Sequence, residues 1–325
     1  MDDEWFIRVH TDVTQCLIPV IQNANKFSPT LMNSVQILCL DELYSFAQKY
    51  VNGEMKRLEN LQLINKKISR RTSLRAKRNE LLETLQPLQE NIVYLCKTIS
   101  TCMKLRCLPV KISNLDKNES VDVLKQLEDH VLSLVQNMIK HLAQVSLESY
   151  FEKCDEHIYN LTEEIEKLCE SLPQTQAAEE IRTIIGNLAC NCVSRVYLDC
   201  LMKINFKKLQ RRWGNVEERI RQDVQNLHDK FSHLNVDVEQ NQLLMRMSEV
   251  LFYCDVETLK FTCGTLFKDF PEDSEQYLPR LLRWKKTLSE QQVKEILDVG
   301  QMGCQNPACD SRPQPLMDLC CCLGF

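Results

Sequence analysis

The stretch LKQLEDHVLSLVQNMIKHLAQV, residues 124–145, decides the fold class of this chain. Its apolar residues recur at steps of three and four, which is the spacing of one face of an α-helix. Such a stripe forms a seam against neighbouring helices, as in a bundle or a coiled coil. The sequence therefore predicts a long helix that runs to about Tyr150. The seam consists of Leu124, Leu127, Val131, Leu134, Met138, Leu142 and Val145.

Helical patterns also fill the chain on either side of this seam. Ser28 followed by Pro29 has the form of an N-cap with proline in the first turn, and the apolar stripe that follows weakens beyond Leu58. Residues 109–119 are predicted to form a loop. A first helix is predicted to run to about Asn25, and a further apolar run has Pro87 early in it and stops near Pro109. The other predicted helices cover about 120–150, 152–171, 176–212, 215–231, 239–254, 256–270, 274–286 and 289–299.

Several helix ends carry specific signals. Gly214 is expected to break the chain between two helices, and Asp255 to cap the helix that follows it. Ser289 with Gln292 has capping-box spacing. Gly300 is expected to end the last helix.

The composition bounds the domain organisation. The chain has 325 residues, 44% of them hydrophobic and 26% charged, with only 7 glycines. So little glycine disfavours turn-rich sheets and glycine-rich phosphate-binding loops. The length exceeds one ordinary core. We therefore predict an all-α protein with a helical bundle at 1–172, a second bundle at 173–300 and a flexible cysteine-rich tail at 301–325.

The net charge, the cysteines and the apolar runs of the sequence bear on where the protein is located and what it binds. A net charge of −5 disfavours a general nucleic-acid binder. Most of the 17 cysteines occupy apolar helical positions, so we interpret them as reduced, buried thiols. The N-terminus lacks an apolar targeting core and no apolar run is long enough to span a membrane. These features predict a cytoplasmic protein.

The motifs of common catalytic and metal sites are not present in the sequence. It contains no GxSxG, GxGxxG or P-loop motif. Cys190 and Cys192 are two residues apart on a helix and face away from each other, so they cannot chelate one ion. Cys304 and Cys309 have no second pair at a zinc spacing. We therefore expect no enzyme activity, no metal and no cofactor.

A basic run lies between residues 56 and 78, where only Glu59 opposes the positive charges. One interpretation is a site for anionic lipids of the inner leaflet, at about 1 kcal/mol per basic residue near the membrane. The other is a solvated connection between two helices. No aromatic residue lies among these charges to stack on bases, so nucleic acid is not expected. The candidate lipid-binding residues are Lys66, Lys67, Arg70, Arg71, Arg75, Lys77 and Arg78.

The C-terminus offers a second route to a membrane. The final residues Cys322-Leu323-Gly324-Phe325 have the form of a prenylation box, although Gly324 is a poor aliphatic residue. Cys320 and Cys321 are candidates for palmitoylation beside it, since two lipid chains hold where one is marginal. An unmodified tail is the alternative.

A set of diffuse helical signatures lies in the C-terminal part of the chain, mostly within about 180–300. They are Tyr197-Leu198-Asp199-Cys200-Leu201-Met202-Lys203, Trp213, Glu217-Glu218-Arg219, Asp223, Leu227, Phe231, Ser248-Glu249-Val250, Asp255, Leu259, Lys268-Asp269-Phe270-Pro271 and Leu281-Leu282-Arg283-Trp284. With these signatures the C-terminal part resembles the exocyst complex component 3 family, which includes the exocyst component 3-like proteins and tumour necrosis factor alpha-induced protein 2.

The resemblance implies a fold and a function. The fold would be a rod of stacked antiparallel helical bundles, as in vesicle-tethering subunits. The function would be tethering in exocytosis, through SNARE proteins and other exocyst subunits, peripherally at the plasma membrane. Family members are roughly twice as long, which implies a C-terminal half, a short form or a fragment. The alternative within the family is a phosphoinositide-binding protein that remodels the plasma membrane.

Overall fold

The computed structural model describes residues 3–72, 78–113, 118–153, 157–172, 176–234, 242–285 and 287–302, with the side chains at 61–90 and at a few other positions left out of the description. Within these ranges all regular structure is helical. The helices are α1 Asp3–Asn25, α2 Pro29–Thr72, α3 Arg78–Arg106, α4 Leu108–Ser113, α5 Glu119–Lys153, α6 His157–Ser171, α7 Gln176–Lys203, α8 Phe206–Trp213, α9 Val216–His233, α10 Leu243–Phe252, α11 Val256–Asp269, α12 Pro271–Trp284 and α13 Glu290–Met302.

The chain divides into two compact units. The first contains the described residues up to Met138 together with Lys167–Arg182, and the second contains Ile139–Glu166 and the described residues from Thr183 onward. Compactness does not define independently folding domains, so the predicted division at 172 stays a prediction. The predicted rod also stays an expectation, whereas the all-helical class is confirmed for the residues described.

In the first unit, α1 packs against α2 and α3, and the short α4 lies against all three. The Ser28 hydroxyl accepts a hydrogen bond from the Leu31 amide at 3.1 Å, so the predicted N-cap of α2 is confirmed. One prediction here is wrong. The loop predicted at 109–119 begins with α4, which buries Leu108 and Ile112. Beyond Leu58, where the apolar stripe weakens, α2 continues to Thr72.

In the second unit, α9 packs against α8 and α10, and α10, α11, α12 and α13 pack mainly against one another. The predicted capping box at α13 is confirmed. The Ser289 hydroxyl accepts from the Gln292 amide at 3.2 Å, and the Gln292 side chain accepts from the Ser289 amide at 2.9 Å. Gly214 has a φ of 70° and separates α8 from α9, as predicted.

The single helix predicted over 176–212 is interrupted. Asn205 has an extended backbone, and its side chain accepts from the Lys207 amide at 2.9 Å, so that it caps α8. Asparagine competes with helical hydrogen bonds through such local contacts. Arg280 of α12 donates to the Ile204 carbonyl at 3.3 Å at the end of α7. The two side chains therefore satisfy the groups that the break leaves free.

Gly300 does not end the last helix, which continues to Met302. A Cβ atom at Gly300 would lie 2.4 Å from Cδ2 of the Phe267 ring. The glycine therefore permits α13 to approach α11 closely. Its role is in packing between helices and not in helix termination.

Candidate functional site

A buried polar cluster joins α5, α7 and α9 in the second unit. Asp223 is almost completely buried and accepts from the hydroxyls of Tyr150 at 2.6 Å and Tyr197 at 2.9 Å. Arg219 donates through Nε to the Tyr150 hydroxyl at 2.9 Å and lies 3.5 Å from the Asp223 carboxylate. We name Tyr150, Tyr197, Arg219 and Asp223 the Asp223 cluster.

The pKa shifts in the Asp223 cluster favour a stable network of hydrogen bonds. Burial raises the pKa of Asp223, and the bonds from Tyr150 and Tyr197 and the charge of Arg219 act in the opposite direction. Burial first, and the neighbouring carboxylate second, raise the pKa values of Tyr150 and Tyr197 well above their usual range. Both tyrosines therefore remain hydrogen-bond donors near neutral pH, and each donor has an acceptor.

Aromatic rings pack around the Asp223 cluster. Phe151 contacts the ring of Tyr197, with centroids 5.1 Å apart, and Trp213 contacts the rings of Tyr150 and Phe151 at 5.7 and 5.5 Å. Arg212 donates to the carbonyl of Phe151 at 3.2 Å and to that of Glu152. A cation at the end of α5 satisfies free carbonyls and complements the helix dipole. The Asp223 cluster is thus a buried contact that connects α5, α7 and α9.

A second set of polar contacts joins α7 to α12. Arg195 binds Asp273 with two hydrogen bonds of 3.0 Å each, which is the bidentate geometry that favours arginine over lysine. Asp199 accepts from the hydroxyl of Tyr277 at 2.9 Å and from Gln276 at 3.0 Å. These bonds hold α12 in one register along α7.

The residues that carry the family resemblance take part in this internal structure. Tyr197, Arg219 and Asp223 form the polar cluster, with Trp213 packed against it. Asp199 belongs to the α7–α12 contact. The remaining signature residues include Asp255, which caps α11 by accepting from the Thr258 amide at 2.8 Å, and the buried Leu227, Leu259 and Phe231. The signature therefore specifies how helices pack.

The described cysteines fit the prediction of buried thiols. Most of them are buried, and the exposed ones are Cys16 and Cys254. Burial raises the pKa of Cys190 and of Cys263 to about 12, so neither thiol ionises readily. Within the described ranges no three histidine, cysteine or acidic side chains gather as a metal site would require.

A small groove lies between α6 and α9. It has a volume of about 200 Å³, and Ile158, Leu227 and Lys230 are among its lining residues. Ligand pockets usually start at about 300 Å³. Lys230 forms an ion pair with Glu166 at 2.9 Å. The groove is therefore too small for most organic ligands, and its lysine is already paired.

Exposed apolar side chains concentrate at the α1–α2 hairpin of the first unit. Phe27, in the turn, is 80% exposed. Val20 lies about 8 Å before the end of α1, and Leu38 about 14 Å after the start of α2, at 1.5 Å per residue. We name Val20, Phe27, Leu31, Ile37 and Leu38 the hairpin apolar surface.

The sequence analysis missed a basic surface in the second unit. Lys207, Lys208 and Arg211 of α8 are exposed, and Arg280 of α12 is exposed beside the α7–α8 junction. We name Lys203, Lys207, Lys208, Arg211, Arg212, Arg280 and Arg283 the α8 basic surface. One signal was available, because no acidic residue occurs between 200 and 216 or between 276 and 289. What the sequence did not reveal is that these two stretches meet.

The predicted membrane-contacting residues lie outside the described part. This holds for the side chains of Lys66, Lys67, Arg70, Arg71 and Arg78, for Arg75 and Lys77 entirely, and for Cys320, Cys321 and Cys322. Among the described helices, none is both long and apolar enough to cross a bilayer. Comparisons with protein-family models, with curated proteins and with solved structures found no match to this chain.

Proposed function

We propose that this chain is an exocyst-subunit-like tethering protein in exocytosis, which binds SNARE proteins and other exocyst subunits without catalysis. The hairpin apolar surface carries this proposal. Its five apolar side chains are each exposed and lie on one pair of consecutive helices and the turn between them, and exposed apolar patches are typical of protein-binding surfaces. The choice of partners rests on the resemblance over 180–300.

The mechanism is geometric. Helices joined by the Asp223 cluster and by the Arg195–Asp273 pair resist rearrangement, because separating them would leave buried charges without partners. A rigid helical body holds bound partners at a defined distance. Under this proposal the protein performs no catalysis and acts only by holding bound partners in fixed positions.

The test is affinity purification of the chain from cells, followed by detection of exocyst subunits and SNAREs. We expect both with the wild type. A variant with Phe27→Ser, Leu31→Ser and Ile37→Ser should lose at least one of them. Phe261→Ser is a matched control, since Phe261 is 76% exposed but belongs to the second unit. The proposal is wrong if the wild type retains neither class of partner.

The phosphoinositide-binding alternative draws support from the α8 basic surface, which adds a second concentration of positive charge to that at 56–78. Its own test is flotation of the chain with liposomes that contain phosphoinositides. Reversing Lys66, Lys67, Arg70 and Arg71 to glutamate should weaken flotation under this alternative. Flotation that is unchanged by the reversal would exclude the run at 66–71 as the membrane site.

A further inference from the structure

The α8 basic surface is built from two stretches that are distant in sequence. Phe206 of α8 packs against Trp284 of α12, with ring centroids 5.1 Å apart. Arg280 donates to the Ile204 carbonyl at the α7–α8 junction. Packing thereby places the cations of 203–212 next to those of 280–283. In a chain with a net charge of −5, this is a marked local excess of positive charge.

The charges on α8 itself are not neutralised. Among the described residues, Lys207, Lys208 and Arg211 have no acidic partner within ion-pair distance. Lys203 and Arg283 at the margins have only long, exposed ion pairs, at 3.8 Å to Glu148 and 3.6 Å to Glu290. Such exposed pairs contribute little and exchange readily. The three α8 cations are therefore available to an external anion.

The geometry of α8 directs these cations outward. Leu209 is fully buried and anchors the helix to the second unit. Lys207 and Arg211 are four residues apart and therefore share one face, with Lys208 adjacent to it. The helix thus presents its basic face to solvent while its apolar face is occupied by the protein core. Binding through this face needs no unfolding and no insertion of α8.

We propose that the α8 basic surface binds the anionic headgroups of a lipid bilayer. Each basic residue close to an anionic leaflet strengthens binding by about fivefold, so the three free α8 cations together account for a factor on the order of 100. The half-buried pair of Phe206 and Trp284 lies beside them. Aromatic side chains of this kind favour the headgroup region.

Nucleic acid fits the same surface less well. Phe206 and Trp284 pack on each other, whereas single-stranded nucleic acid requires ring faces that are free to stack on bases. A bilayer presents headgroups that adapt to Lys207, Lys208 and Arg211 without preformed bidentate sites. This proposal does not depend on the tethering function.

The test uses the full chain and sedimentation with vesicles of phosphatidylcholine alone or mixed with phosphatidylserine. A variant with Lys207→Glu, Lys208→Glu and Arg211→Glu should bind the mixed vesicles at least tenfold more weakly. The matched control carries Lys140→Glu, Lys268→Glu and Lys294→Glu, three exposed positions of the second unit that lie outside the α8 basic surface. It changes the net charge equally and should keep most of the binding.

The outcomes separate clearly. Circular dichroism must show the same helix content in both variants. Both variants are also compared in a chain whose residues 66, 67, 70 and 71 are already glutamate. That background removes most of the charge of the other basic run. Equal binding by the wild type and the α8 variant overturns the proposal. So does an equal loss in both variants, or binding of single-stranded RNA without binding of vesicles. Failure here leaves the co-purification of exocyst subunits and SNAREs unaffected, so the two proposals fail separately.

Discussion

Replacing Asp223 by alanine is expected to destabilise the second unit by about 2 to 6 kcal/mol, because two buried hydroxyl donors lose the carboxylate that accepts from them. Asp223 is the acceptor for the Tyr197 hydroxyl, which is completely buried. Without the carboxylate this hydroxyl loses the acceptor to which it donates. The Tyr150 hydroxyl loses its acceptor too, although Arg219 still donates to its oxygen.

The magnitude follows from those two donors. A buried polar group left unsatisfied costs about 1 to 3 kcal/mol, so two such groups account for most of the expected loss. Arg219 adds little, because its side chain is 37% exposed and water can solvate it. Asp223→Asn should cost less, about 1 to 2 kcal/mol, since both hydroxyls donate to the same oxygen and an amide oxygen in its place still accepts two bonds, although without the negative charge.

The assay is urea unfolding followed by far-ultraviolet circular dichroism, with the midpoint and the slope both fitted. Asp229→Ala is the control on the same helix. Asp229 is exposed and only accepts from Gln225 at 2.8 Å, so its loss should change stability by less than about 0.5 kcal/mol. If Asp223→Ala costs less than about 1 kcal/mol, or no more than Asp229→Ala, the reasoning about the buried network is refuted.

Two further predictions concern packing and pH. Gly300→Ala should destabilise by about 1 to 3 kcal/mol relative to Gly264→Ala in thermal unfolding, because the new Cβ at Gly300 meets the buried Phe267 ring whereas Gly264 has nothing within 4 Å; equal effects would contradict this. Burial raises the pKa of Glu128 from 4.5 to about 7, with the charge of Arg106 opposing the rise. The folded state thus holds this proton more tightly than the unfolded chain, so the stabilisation is full below pH 4.5 and is lost as the pH rises through 7. In urea unfolding at several pH values, the wild type should therefore lose stability relative to Glu128→Gln across that window, and a constant difference would disprove the assignment.

The secondary structure was largely predictable because its signals are local. The three- and four-residue spacing between Leu124 and Val145 predicted α5. Ser289 with Gln292 predicted a reciprocal cap that the structure confirms. The prediction that Gly300 ends α13 was wrong, because the role of this glycine depends on a contact with a residue far away in the sequence. Helix termination and close approach between helices both favour glycine, and only the position of Phe267 on another helix distinguishes them.

The candidate sites were predictable only in part. The signature residues Tyr197, Arg219 and Asp223 were noted, but nothing in their spacing along the chain indicated that Tyr150 of α5 completes the cluster. The α8 basic surface was missed because each half is an ordinary charged helix end. The two halves form one basic surface because Arg280 lies beside the α7–α8 junction in the folded protein.

The sequence by itself therefore determined that the chain is helical, where most helices begin, and which faces are apolar. These properties depend on residues within one or two turns of each other. The tertiary structure decided which polar groups are paired inside the protein and which remain available at its surface. Asp223 and Lys207 are both charged residues on amphipathic helices, yet one is buried against two tyrosines and the other is exposed without an acidic partner. That difference depends on contacts between distant helices, which the periodicity of a single helix does not encode.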